Sequence, residues 1–505
     1  MRFNKTTKGK DKTTNSEGAT AYKLTPELEL YSLVCTASLQ NKFYEKDKAT
    51  LDRMRNLVSK VKPEFVAKLA IYAREQMYLR SIPVVLAVEL SKIHNGDSLV
   101  SQMTERIIQR ADEITEVLSY YQFCNGRNET KKLNRLSKQL SKGVAASFFK
   151  FDEYQFAKYN RDGAVKIRDA LFLTHPKPEN KERIELFKKI VDDKLDIPLT
   201  WETKLSEAGK TKKDKKEVWE SLIDSKKVGY MALMRNLRNI LEANVTLKHI
   251  QIVAEYLSNK TAVEKSRQLP FRFLSAYREI QEVGNPHTSI FLTALEDAVL
   301  ISAQNIKGYN YDTSILIASD VSASMRDPIS PRSKVESYDI GLLLGMLLQN
   351  RCKATITGIF GDTWRVENLP KNSILQNTMS LRHIGNSVGF STNGYKVLEY
   401  LIDKNILVDK IMMFTDCQLW DSTDACWGGG DADAMKKKWS EYKKINPNCK
   451  MYLFDLAGYG NTPLKVNDND VFFISGWSND IFNILAALEE GSNAIKVIES
   501  IKISE

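Results

Sequence analysis

The stretch Ser314 to Arg326 drives the apolar run Ile315-Leu316-Ile317-Ala318 into Asp320-Val321-Ser322-Ala323-Ser324. A carboxylate and two hydroxyls in Asp-x-Ser-x-Ser order can turn three oxygens toward one point, and an all-oxygen donor set suits a hard divalent ion such as Mg²⁺. Two more oxygens follow downstream. Thr392 sits in the turn-like run Gly389-Phe390-Ser391-Thr392-Asn393-Gly394, which opens a helical pattern, and Asp416 closes the apolar run Ile411 to Thr415. Each loop follows a strand or precedes a helix, where open α/β sheets bind their ligands. Alone, Asp-x-Ser-x-Ser also reads as a loop of helix-capping residues. The later Thr and Asp, in that order, favour the cation.

The elements that must position these oxygens read as a doubly wound parallel sheet over residues 312–505. Strands are predicted at Ile315–Ala318, Ala354–Phe360, Lys410–Phe414, Met451–Asp455 and Val471–Ile474, with helices such as Ser337–Asn350 and Ile481–Glu490 between them. Residues 22–308 read as almost wholly helical. Thr25-Pro26-Glu27 has the form of a helix start, and apolar residues then recur at helical spacing in short segments from Pro63 to Ile306. Helices of this length with brief turns suit stacked pairs that bury their apolar faces on neighbours, and an irregular helical domain is the alternative. Residues 1–21 are Lys- and Thr-rich and read as a polar flexible tail.

Charge separates the two parts. Residues 1–311 carry 53 Lys and Arg against 39 Asp and Glu, whereas residues 312–505 carry 20 against 24. A cationic excess confined to one part implies a polyanion partner, because cation clusters gain by counterion release, although solubility alone would also explain it. Six cysteines without Cys-x-x-Cys spacing imply free thiols, and with no run of eighteen apolar residues the sequence implies a soluble, cytoplasmic protein with no membrane partner.

Within the basic part, Lys131, Arg135, Lys138 and Lys142 follow one helical stripe beside the apolar stripe Leu133, Leu136, Leu140 and Val144. The ridge can meet phosphates or simply be a solvated face. The next segment interleaves aromatics with cations: Tyr154, Phe156, Lys158, Tyr159, Arg161, Lys166, Arg168, His175 and Lys177. Such cations hold phosphates, and any aromatics not in the core stack on unpaired bases. Arg235 and Arg238, three apart on a predicted helix from Tyr230 to Ala243, complete the candidate RNA-contacting residues.

Two resemblances draw these parts together. Asp320, Ser322, Ser324, Thr392 and Asp416 match the metal-ion-dependent adhesion site of von Willebrand factor A domains; the resemblance implies that they hold the ion directly or through water, with one position left for a partner's acidic group. Tyr72-Ala73-Arg74-Glu75-Gln76, Leu79-Arg80-Ser81-Ile82-Pro83, Leu173-Thr174-His175-Pro176-Lys177-Pro178 and Ala232-Leu233-Met234-Arg235-Asn236-Leu237 resemble the TROVE module of the Ro ribonucleoprotein family. TROVE followed by an A domain is that family's order. The resemblance implies an α plus α/β fold: a HEAT-like helical-repeat ring over 22–308, then a Rossmann-like A domain over 312–505. It also implies a monomeric scaffold that binds small noncoding Y-type RNA on the ring's basic outer surface and single-stranded ends of misfolded structured RNA in its hole, with Arg235 and Arg238 facing that hole. An exoribonuclease partner in RNA quality control or decay is implied in the same way. Few insertions and many lysines point to a bacterial or viral relative. Ile167 stands where the family's histidine is expected, which removes one base contact.

Catalytic patterns are missing: there is no Gly-x-x-x-x-Gly-Lys-Ser/Thr, no Gly-x-Ser-x-Gly and no His-Glu-x-x-His, and the five histidines are scattered. The sequence therefore predicts a non-enzyme. The rival reading is a metal-dependent protein-interaction adaptor in which the basic charge is incidental.

Overall fold

The computed structural model describes residues 11–36, 48–125, 136–160, 163, 165–196, 200–211, 214–303, 313–329, 333–352, 354–421, 431–478 and 481–504. The chain falls into two compact units. One holds residues 37–222 and 495–505; the other holds residues 1–36 and 223–494. The helices from Tyr230 to Ala303 thus group with the sheet that follows them rather than with the helices before them.

The first unit is helical. Helices Pro63–Glu75, Ser81–Ile93, Leu99–Ile107, Ala111–Cys124, Lys138–Ser147 and Ile167–Thr174 pack each on its near neighbours, as a stack of paired amphipathic helices does. The family-like words Tyr72-Ala73-Arg74-Glu75-Gln76 and Leu79-Arg80-Ser81 hold this stack together. Buried Arg74 donates to both carboxylate oxygens of Glu113 (2.9 and 3.1 Å) and to the Ile107 carbonyl (3.0 Å). Arg80 adds Asp112 and Glu113, Glu75 pairs with Arg106, and Ser81 donates to Glu116. A buried charge left unpaired is strongly unfavourable, so this network fixes how the helices register.

In the second unit, β3 (Ser314–Asp320), β4 (Ala354–Phe360), β5 (Trp364–Val366), β6 (Lys410–Thr415), β7 (Lys450–Asp455) and β9 (Val471–Ser475) form one sheet in the order β5-β4-β3-β6-β7-β9. All pairings are parallel except that of the edge strand β5. Strand order reverses between β3 and β6, which makes a topological switch point there. Helix Ser337–Arg351 packs on both strands, and Gly345 lets it approach closely: a Cβ there would lie 3.1 Å from Ile317 Cγ2.

Two expectations are corrected. Residues 1–10 lie outside the described residues, but from Lys12 the supposed flexible tail is an antiparallel hairpin, β1 (Lys12–Thr14) and β2 (Thr20–Lys23), with β2 paired to β8 (Asn461–Thr462). Its polar residues order because they close the turn with hydrogen bonds of their own. The helix expected from Tyr230 to Ala243 breaks at Asn236 (φ −109°, ψ 11°), whose Nδ2 donates to the Ala232 carbonyl.

Candidate metal centre and nucleic-acid interface

Asp320 ends β3 and Asp416 follows β6, so the switch point sets them side by side. Both are buried, as are Ser322 and Thr392. Asp320 Oδ1 accepts from the Ser322 N–H (3.0 Å) and Oδ2 from the Thr415 hydroxyl (2.7 Å), while the Ser322 and Ser324 hydroxyls lie 3.2 Å apart. Asp416 Oδ1 accepts from the Gln418 N–H (2.9 Å) through a turn in which Cys417 adopts φ +63°, a conformation a non-glycine residue takes only when its surroundings impose it. Asp416 Oδ2 is buried and accepts nothing among the described residues. The loop bearing Thr392 is tied in by Ala323 N–H to the Phe390 carbonyl (3.0 Å) and Trp420 N–H to the Thr392 carbonyl (3.0 Å).

Burial pushes the Asp320 carboxyl up to about 7, reinforced by the negative charge of Asp416; burial likewise pushes Asp416 up to about 6. Two buried acids without a cationic partner, plus three hydroxyls, are a poor design for a core and a good one for a hard cation. Among the described residues no group of three or more His, Cys, Asp or Glu is placed to hold an ion. Hydroxyl oxygens must therefore complete any set, and the sequence-predicted five residues fit that requirement. Thr415, which orients Asp320, was not foreseen; its signal was its place in the strand end just before Asp416.

The candidate RNA residues divide more unevenly. Lys131, Arg135 and Arg161 lie outside the described residues. Lys138 and Lys142 are exposed one turn apart on helix Lys138–Ser147, which packs on the helix carrying Arg168. Arg168, Phe172 and His175 recur at i, i+4 and i+7 on one exposed face, with Phe172 52% exposed and Lys177 exposed just beyond. Lys158 is exposed beside Tyr154, itself 50% exposed. Phe156 is core, and Tyr159 lies under Arg110 at 4.5 Å. Lys166 is half-buried at a helix start.

Arg238 departs from the expectation of a free cation. Its Nε donates to Glu242 (2.7 Å) and it lies 3.6 Å from Glu279, a pairing that the i, i+4 spacing of Arg238 and Glu242 already signals. Arg235 is exposed and without an acid partner among the described residues, and its charge adds to the burial that lowers the pKa of Arg272. Arg272 stacks over Phe271 at 5.0 Å and makes no ion pair among the described residues. Two cations side by side without an anion make a place for one. Arg272 escaped notice because only the tertiary fold brings it to Arg235.

A sequence model of the TROVE domain matches residues 28–193 and 192–289. Telomerase protein component 1 of Mus musculus is 26% identical over 341 residues and that of Rattus norvegicus 25% over 343, in each case 51% of this chain. The match spans only 13% of those proteins' length. In fold, the chain is similar to the RO (RSR) protein of Deinococcus radiodurans, with a TM-score of 0.58 at 16% identity, over 92% of this chain and 100% of that one.

Proposed function

This chain belongs to the TROVE-domain family of Ro proteins, and from that premise we propose that it is the RNA-binding scaffold of a ribonucleoprotein particle. The observation that carries the reading is the set of exposed residues between 138 and 177: Lys138, Lys142, Lys158, Arg168 and Lys177 make no ion pair among the described residues, and Phe172 and Tyr154 are exposed in the same segment. Cations without acids bind phosphates by releasing counterions, and exposed rings stack on unpaired bases. The ligand class is a structured RNA with a single-stranded segment. By family resemblance this is a small Y-type RNA on the outside of a helical ring, with frayed ends of misfolded RNA in its hole, which the resemblance has Arg235 and Arg238 face.

In the sheet unit, Asp320, Ser322, Ser324, Thr392 and Asp416 hold a divalent cation, Mg²⁺ by the hardness of its donors, and keep one position for an acidic ligand. The ion serves recognition; the protein is not an enzyme, acts in the cytoplasm, and works beside an exoribonuclease, as the family resemblance implies. Filter binding with a hairpin RNA bearing a 3′ tail tests the RNA reading. Tight binding that weakens steeply with salt and prefers the tailed hairpin over heparin is expected; equal weak affinity for every polyanion overturns it.

A second reading, the metal-dependent adaptor, is favoured by the rim of the metal loop. Arg326 lies 4.6 Å over the exposed ring of Phe390, an anchor of the kind protein interfaces use. If Asp320→Ala alone abolishes recovery of cellular partners while charge reversal of Lys138, Lys142 and Arg168 leaves RNA recovery intact, the adaptor reading replaces the scaffold.

A further inference from the structure

The two units exchange segments. Residues up to Thr36 group with the sheet unit, where the Tyr31 hydroxyl donates to the Ser475 carbonyl (2.9 Å) and accepts from the Ser475 N–H (3.1 Å) at the end of β9. Residues 495–505, which follow the sheet unit in sequence, group instead with the helical unit. There the fully buried Ile498 anchors helix Ala494–Glu499, which is only six residues long. A helix that short does not hold itself, because its first turn orders three residues for one hydrogen bond; its seat decides whether it forms.

The seat is polar at its edge and joins two helices. Lys68 Nζ donates to the Glu499 carbonyl (2.6 Å) at the C-terminal end of the short helix, where a cation meets unpaired carbonyls and the negative end of the helix dipole. Arg106 donates through Nη1 to the Lys502 carbonyl, and through Nε (2.7 Å) and Nη2 (2.8 Å) to Glu75. One guanidinium thus ties helix Leu99–Ile107, helix Pro63–Glu75 and residue 502 together. Tyr72, Glu75 and Arg106 on one side and Ile501, Lys502 and Ser504 on the other line a cavity of ≈ 300 Å³, and none of residues 501–504 is buried. Atoms facing a void forfeit their contacts, so beyond Glu499 the segment is held by carbonyl bonds more than by packing.

What this seat supports leads to the candidate RNA surface. Helix Leu99–Ile107 packs on helix Lys138–Ser147, and the two meet at Gly143, where a Cβ would lie 2.6 Å from Thr104 Cβ and 2.6 Å from the Ser101 carbonyl oxygen. Only glycine allows that approach, so the helix bearing Lys138 and Lys142 follows the helix that bears Arg106. We propose that residues 495–504 are a clasp that positions the RNA surface of the helical unit. Seated, they hold helices Pro63–Glu75 and Leu99–Ile107 in register, and through them Lys138 and Lys142; lifted, they let those helices part. The proposal rests on the reading of residues 138–177 as an RNA surface, and the clasp itself is tested without RNA.

Hydrogen exchange, followed peptide by peptide in the full-length protein, compares the wild type with Ile498→Asn and with the milder Lys68→Met. In Ile498→Asn, amides of residues 63–107 and 138–147 are expected to exchange about tenfold faster, while strands β3, β6 and β7 exchange as in the wild type and so show that the variant has folded. Lys68→Met should shift the same amides in the same direction by less, and it decides the question if Ile498→Asn does not fold. Affinity for a tailed hairpin RNA should fall about fivefold in Ile498→Asn at an unchanged slope of log affinity against log salt, because no cation is lost. Unchanged exchange in both variants overturns the clasp. Faster exchange with RNA affinity intact overturns its hold on the RNA surface, and a shallower salt slope means that residues 495–504 meet RNA themselves, which overturns positioning. A wild type that binds no RNA fails the RNA reading, while the exchange result still decides the clasp.

Discussion

Residues 37–222 with 495–505 carry 38 Lys and Arg against 29 Asp and Glu, whereas the rest of the chain carries 35 against 34. The balanced unit spends many of its cations on its own acids, Arg235 and Arg272 excepted among the described residues. Arg278 and Arg382 both reach the buried Asp339, Arg238 pairs with Glu242 and Glu279, Lys334 with Glu279, and Lys410 with Glu489. The basic unit also pairs its interior arginines, Arg74 and Arg80, yet leaves Lys138, Lys142, Arg168 and Lys177 on the surface without acid partners among the described residues. The difference teaches that net charge identifies a ligand only after internal pairs are subtracted. What remains is a candidate polyanion surface in one unit and, in the other, the neighbouring Arg235 and Arg272 and the two buried acids Asp320 and Asp416.

The comparison breaks most visibly if the balanced unit is unbalanced. Asp339 is fully buried in the first turn of helix Ser337–Arg351, and Asp339→Ala leaves the largely buried Arg278 without an acid and the partly buried Arg382 with Glu336 alone, at 3.3 Å. Chemical denaturation should show a loss of about 3–5 kcal/mol, the usual consequence of removing one partner of a buried pair. A loss below about 1 kcal/mol would mean that solvent reaches these arginines as readily as it reaches those of the surface.

The next largest effect is in pH. Asp320 and Asp416 have carboxyls raised in the folded protein to about 7 and about 6, above the ordinary carboxylate range of about 4. Between those limits the folded state binds more protons than the unfolded one, so stability of the metal-free protein should fall as pH rises from about 4 to about 7. Mg²⁺ should flatten that slope by binding the ionised pair. Melting temperatures across this range, in chelator and in Mg²⁺, check it; parallel curves would break the assignment of the cation to the balanced unit.

Much of this contrast was legible in the sequence. Five strands stood out because parallel strands buried on both faces read as unbroken apolar runs, and the candidate metal residues because their order and strand-end positions are set by the switch point. The helices from Pro63 to Cys124 were legible from spacing alone. Three kinds of feature were not. Helices Trp201–Thr211 and Lys260–Ser266 are strongly polar or short and carry few apolar residues, whereas Lys48–Val58 does repeat Leu51, Met54, Leu57 and Val58 at helical spacing but within a largely polar run. The break at Asn236 hides in a continuous helical pattern. The hairpin at Lys12–Lys23 owes its order to Asn15 reaching Leu419, some four hundred residues away. Pairing is tertiary too: nothing local separates the structural Arg74 from the exposed Arg168.

Charge reversal sharpens the basic half of the comparison. Replacing Lys138, Lys142 and Arg168 together by Glu should weaken binding of a tailed hairpin RNA by about a hundredfold at moderate salt and reduce the slope of log affinity against log salt by about three. Reversing Arg238 and Lys334, already engaged by Glu242 and Glu279, should change RNA affinity far less. Equal losses from both sets would erase the distinction between paired and unpaired cations.

The smallest effect expected is also the most discriminating, because it separates stacking from charge. Phe172 shares its exposed face with Arg168 and His175 and contributes little to the core, so Phe172→Ala should leave the melting temperature nearly unchanged. Stacking of one base on an aromatic ring is worth about 1–3 kcal/mol, so affinity for a single-stranded RNA should fall about tenfold. A fully paired duplex offers no free base face along its length and should bind as before, and the salt slope should not move, since no cation is lost. If duplex and single strand lose affinity equally, Phe172 shapes the helix surface rather than meeting a base, and the basic unit reads RNA through phosphates alone.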